Sequence, residues 1–139
     1  MKKVITFILC LAIAFSAVVP ASAASFTALA QLQQYIEDHT PAQLLADTHF
    51  VELEGVVVEI HWCGANNHYE MTLQANDPQA LRPIGAEAPL LVVHFRLHLA
   101  EPPFQVGETV AVFGTLNPLY SSVVIPCVLA KTINGTEDF

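Results

Sequence analysis

The chain has 139 residues, 53% of them hydrophobic and only 13% charged, with 13 acidic side chains against five basic ones and a formal charge of −8. That length allows one domain with a modest core. The acidic balance repels phosphate backbones and anionic lipid surfaces at long range, so nucleic acid is not an expected partner.

Met1-Lys2-Lys3 opens the chain, an apolar run over residues 4–19 follows, and Pro20 precedes the small residues Ala21-Ser22-Ala23. A positive start, an apolar middle and an A-x-A end are the three parts of a cleavable secretory signal, read here over residues 1–23. The run is shorter than the ~20 residues a membrane-spanning helix needs, so no stable span is expected after cleavage. Cys10 lies in the middle of the run rather than at its end, which argues against a lipid-anchored cysteine. Cleavage leaves Arg82, Arg96 and Lys131 against all 13 acids, a formal charge of −10 on a secreted or periplasmic product. It also leaves two cysteines, Cys63 and Cys127. In an oxidising compartment they have one possible pairing, and a Cys63–Cys127 disulfide is expected. Such a bridge would stabilise by about 4 kcal/mol in the chain-entropy account.

Residues 24–48 read as a helical segment. Leu29, Leu32, Tyr35 and Ile36 form one apolar stripe over residues 25–39, with Ser25 as the expected N-cap. Thr40-Pro41 restarts the chain as N-cap and first helical residue of a short second helix through about Ala46. From Phe50 the period changes to two. A long first strand covers residues 50–62, with Gly55 as a bulge or bend, and Gly64-Ala65-Asn66-Asn67 turns the chain. A second strand follows over residues 68–75, with Tyr69, Met71, Leu73 and Ala75 inward. The third covers residues 90–99, with Leu91, Val93, Phe95, Leu97 and Leu99 inward and His94, Arg96 and His98 outward. A fourth strand covers residues 109–116 and a fifth about 122–132, where Pro126 marks an edge or bulge. Residues 49–135 form the β domain, and residues 136–139 are expected to be a frayed tail.

Five short strands with apolar inner faces predict a mainly β fold, a small five-stranded barrel preceded by an N-terminal helix. The strand order, with Val106-Gly107-Glu108-Thr109-Val110 leading into the fourth strand, resembles exported bacterial OB-fold domains and the tRNA-anticodon-like OB families. The resemblance covers about residues 50–133. The chain departs from the usual pattern in showing no clear helix between the third and fourth strands, which leaves an SH3-like barrel or a small sandwich as alternatives. In such a fold, the end of the first strand and the start of the fifth emerge together, which agrees with the expected bridge.

Trp62 and Tyr120, with Asn66, Asn67 and Asn117 nearby, are the aromatic and amide groups closest to the two loops at that end. They are the candidate binding residues for a sugar, a small ligand or a peptide, although Trp62 also reads as a cap on the core. The outward residues His94, Arg96 and His98, beside Glu70 and Thr72, read as a solvated face. That face lacks the aromatic platform that single-stranded nucleic acid needs. His61, Cys63, His68 and Cys127 are the alternative, a zinc set of two imidazoles and two thiolates. Their spacing matches no zinc motif, and a disulfide would consume both sulfurs. No serine lies in a Gly-x-Ser-x-Gly elbow, and no catalytic set or cofactor is expected. The sequence thus points to an exported, non-catalytic OB-like module binding a small ligand, glycan or protein partner. Zinc binding is the alternative, and nucleic-acid binding comes third, disfavoured by charge.

Overall fold

A computed structural model of the protein describes residues 23–65, 67–97, 101–137 and 139. Apart from Ala23, the signal segment lies outside the described residues, as do Asn66 and His98. The elements in order are β1 (Ala23–Phe26), α1 (Leu29–Asp38), α2 (Pro41–Ala46), β2 (Thr48–Cys63), β3 (His68–Ala75), β4 (Leu90–Phe95), β5 (Thr109–Leu116), a 3-10 turn (Pro118–Tyr120) and β6 (Cys127–Ile133).

Strands β2 to β6 pair in a closed ring, β2-β3-β4-β6-β5 and back to β2, with β1 added alongside the start of β2. The β4–β6 pairing is parallel, while the other four pairings of the ring are antiparallel. This is the OB-like arrangement, mainly β with a short helical segment before it. Alternate residues build the core: Leu53 and Val57 from β2, Met71 and Leu73 from β3, Val93 and Phe95 from β4, Val110 and Val112 from β5, and Val128 from β6 are all buried. β2 can serve both neighbours because it is long, pairing with β5 through residues 50–56 and with β3 through residues 55–63. Its register shifts between Val57 and Glu59, not at Gly55. Gly55 has a different role: a Cβ there would lie 2.7 Å from the Gln74 carbonyl oxygen, so the close approach of β3 requires glycine.

Helix α1 starts at Leu29, four residues later than the sequence suggested, because residues 23–26 are extended and pair in parallel with residues 48–51. Ala28 supplies no side-chain cap, and the Ala30 amide is instead accepted by the Asp77 carboxylate at 3.0 Å, an acid where the helix dipole favours one. Gln33 is buried, and its amide is satisfied from both sides. It donates to the Leu81 and Val124 carbonyls and accepts from the Leu81 amide at 2.7 Å, tying α1 to two loops. Helix α2 covers the expected residues and carries a full capping box between Thr40 and Gln43.

The remaining differences lie in the second half of the chain. β4 ends at Phe95, β6 begins at Cys127 rather than near Ser122, and the C-terminus is not frayed at its last residue. Phe139 is buried with its ring 5.7 Å from that of Phe95, beside Phe104 at 5.3 Å, and together they close that part of the core. Among the described residues no helix is long and apolar enough to cross a membrane.

Candidate functional site

The outer face of β3 and β4 carries the chemistry. Register places His61, Glu70 and His94 in one row across β2, β3 and β4, with Cys63 and His68 paired in the next. Because side chains alternate, this row points away from the core that Met71, Val93 and Phe95 fill. Glu70 is its hub. One carboxylate oxygen lies 3.2 Å from His94 Nε2 and 3.7 Å from Cys63 Sγ, and the other lies 3.8 Å from His61 Nε2. The His68 and His94 rings stand 4.3 Å apart.

A loop covers the His94 end of this row. Pro118 opens the turn after Asn117, whose amide donates to the Cys127 carbonyl at 2.8 Å. The Ser121 hydroxyl accepts from the Cys127 amide at 2.8 Å and donates to the Asn117 carbonyl at 2.8 Å. Helix α2 packs against the same turn. The loop is thereby pinned to the start of β6, and Tyr120 is carried over the strand face, its ring edge-on to His94 at 5.2 Å. His94 is consequently only 5% exposed, which corrects the reading of that residue as solvated, whereas Arg96 is exposed as read. Burial, with repulsion from His68, lowers the His94 pKa, opposed in part by Glu70. His68, His94, Phe95, Arg96, Asn117, Tyr120 and Leu129 line a cleft of about 290 Å³.

Both cysteines are free thiols, so the expected disulfide is not formed. The register explains why. β3 and β4 separate Cys63 from Cys127, roughly 14 Å at ~4.8 Å per strand step. Cys63 also pairs with His68, while Cys127 pairs with Val92, which pairs with Thr72, four residues further along β3. A disulfide needs Cα atoms within about 7 Å. The Cys127 pKa is pushed up to about 12, first by burial and then by the Glu70 charge. Desolvation and Glu70 also raise that of Cys63.

The expected binding residues do not form a single patch. Trp62 is 50% exposed rather than capping the core, and it packs on Tyr69, which in turn stacks on Phe95. That ladder lies on the core side of the sheet, opposite Tyr120. Asn67 is exposed at the hairpin tip and Asn117 borders the cleft. Of the alternative zinc set, His61 and Cys63 meet at Glu70, His68 meets Glu70 and His94, and Cys127 belongs to neither group. Sequence reasoning missed Glu70 as the hub and His94 as its buried partner. Both were visible as outward residues of paired strands, but the covering loop was not.

No known family matches the sequence, and no curated protein does. Among solved structures, the chain is similar to a "putative nucleic acid-binding lipoprotein" from Klebsiella pneumoniae. The two share 19% identity over 78% of this chain and 89% of that one, with a TM-score of 0.48. It is also similar to yeast Stn1 and Ten1, at 16% identity over 81% of this chain and 62% of that chain, again with a TM-score of 0.48. At these identities the likeness concerns the fold alone. The exclusion of nucleic acid as a partner is corrected, one of these neighbours being described as nucleic acid-binding. The physical reason is local. Net charge describes the whole chain, whereas this face carries Arg96 and an aromatic ring, Tyr120, that alternation did not reveal.

Proposed function

We propose that the protein is an exported, non-catalytic OB-like binding module that takes a small polar ligand, or one sugar or base of a larger one, in the Tyr120 cleft. The observation that carries this reading is the loop pinned by Ser121, which holds a half-exposed aromatic ring over a polar strand face. The cleft lies on β3 and β4, between the hairpin at residues 64–67 and the loop at residues 117–126. That is the face and loop pair through which OB folds bind oligonucleotides and oligosaccharides, a warrant of fold-level analogy. A non-catalytic role agrees with the raised thiol pKa values, since nucleophilic cysteines are activated by lowered ones. Export rests on the residues 1–23 signal, and the product should begin at Ala24.

The test is a calorimetric titration of the secreted protein with a panel of short oligonucleotides and oligosaccharides. Tyr120→Ala should weaken whichever ligand binds by roughly 1–2 kcal/mol, the usual worth of an aromatic anchor or stacked base. A Tyr120→Ala protein with an unchanged unfolding transition and undiminished binding would place the site elsewhere.

A further inference from the structure

We propose that His68, Glu70 and His94 form a binding site for one divalent transition-metal ion, zinc above all, with Cys63 and His61 as adjoining donors. The ligand atoms of the three residues lie within 4.8 Å of one another, and so do those of His61, Cys63 and Glu70. Tetrahedral zinc with bonds of about 2.0–2.1 Å to nitrogen and oxygen puts its ligands roughly 3.3–3.4 Å apart. The Glu70–His94 separation of 3.2 Å fits that edge, and the remaining ligand atoms, within 4.8 Å of one another, would close onto the ion by rotamer changes. Two imidazoles and one carboxylate form a nitrogen–oxygen donor set suited to zinc, with a fourth position left open.

Three further observations favour an ion over a merely structural cluster. The donors sit on neighbouring rows of a paired sheet, so the backbone fixes their spacing before any ion arrives. The buried member, His94, has its ring enclosed by His68 and Tyr120, which shields a bound ion from water on that side. The acidic chain, at a formal charge of −8, also attracts cations from solution. The second donor set shares Glu70 and has the more exposed His61, so it is the weaker of the two.

The site shares His68 and His94 with the ligand cleft but is tested with the metal alone, so its failure leaves that reading standing. Metal-stripped secreted protein is titrated with Zn²⁺ by calorimetry and with Co²⁺ by absorption spectroscopy. Expected are one equivalent of zinc at micromolar affinity or better and a Co²⁺ spectrum of four-coordinate type. Glu70→Gln, which keeps shape and hydrogen bonding, should lower zinc affinity at least 30-fold with an unchanged circular dichroism spectrum. His94→Gln should do the same, while His61→Gln should change it less than fivefold. Absence of zinc binding up to 1 mM, or binding that survives Glu70→Gln in the folded protein, overturns the site. A Co²⁺ spectrum of purely six-coordinate type overturns its geometry.

Discussion

The two faces of β3 and β4 use the same strands to opposite ends. On the inner face Met71, Leu73, Val93 and Phe95 are each no more than 1% exposed, and every one is apolar. On the outer face, His68, Glu70 and His94 occupy the alternate positions, yet His94 is nearly as buried as the core. Burial of hydrocarbon stabilises the fold, at about 25 cal/mol per Å². Burial of an imidazole beside a carboxylate does not, since desolvation offsets most of the attraction. The difference teaches that Tyr120 of the covering loop encloses a polar side chain rather than adding to the hydrocarbon core. A buried histidine beside a partly exposed carboxylate and an aromatic ring, next to a complete core, supplies the few convergent polar groups that a binding cleft needs.

The sharpest way to break that comparison is to unfold the metal-free protein in urea after substituting one residue on each face. Phe95→Ala, which removes a ring in contact with Phe104, Phe139 and Tyr69, should cost about 3–5 kcal/mol. His94→Leu should stay within about 1 kcal/mol of wild type, because a leucine can bury in its place and the carboxylate left behind is not fully buried. Glu70, which is partly exposed, can then turn to water. A His94→Leu cost as large as that of Phe95→Ala would make the outer row structural.

How much of this was legible in the sequence depends on the range of the interaction that decides it. The bounds of α2, β3 and β5 are as read, since the Thr40–Gln43 capping box, the Tyr69 to Ala75 alternation and the Gly107 turn are all local. The start of α1 was not legible, because what makes residues 23–26 extended is pairing with residues 48–51. Likewise, alternation correctly sent Glu70 and His94 outward, but what covers them depends on Ser121 binding the Cys127 backbone and on α2 behind it. The disulfide expectation failed for a related reason. Two cysteines in an exported chain suggest a bridge, but only the strand order, with β3 and β4 between them, decides it.

A second prediction concerns how well the outer face is sealed. Cys127 lies on that face, fully buried, with its pKa pushed up to about 12 by burial and then by Glu70. The unfolded thiol titrates near its ordinary value of 9.0, so between pH 9 and 12 the unfolded chain holds fewer protons than the folded one. Stability must then fall as pH rises, by roughly 1.4 kcal/mol per unit from this group, and the contribution is fully present below pH 9. Chemical unfolding at pH 9.0, 9.5 and 10.0 should show this slope in wild type and a shallower one in Cys127→Ala. Equal slopes would mean that solvent reaches Cys127 and the face is open there. Alkylation at pH 8 gives a parallel reading: Cys63, which is half-buried, should react in the native protein and Cys127 only after unfolding.

The smallest expected effect comes from Trp62, the residue that most resembled a ligand anchor. It pairs with Tyr69, and the Trp62–Tyr69–Phe95 ladder continues the inner face outward to the hairpin end. His61 and Cys63, its chain neighbours, point the other way, toward Glu70. If the faces are distinct, Trp62→Ala should cost the fold no more than about 1.5 kcal/mol, the scale of one aromatic pair at a half-exposed position. Zinc affinity should stay within about twofold of wild type, because the indole packs on Tyr69 while His61 and Cys63 turn to Glu70. Urea unfolding and zinc calorimetry on the same preparation measure both quantities. A large loss of zinc binding with stability intact would show that the hairpin end couples the faces, and the separation of core ladder from outer row would have to be given up.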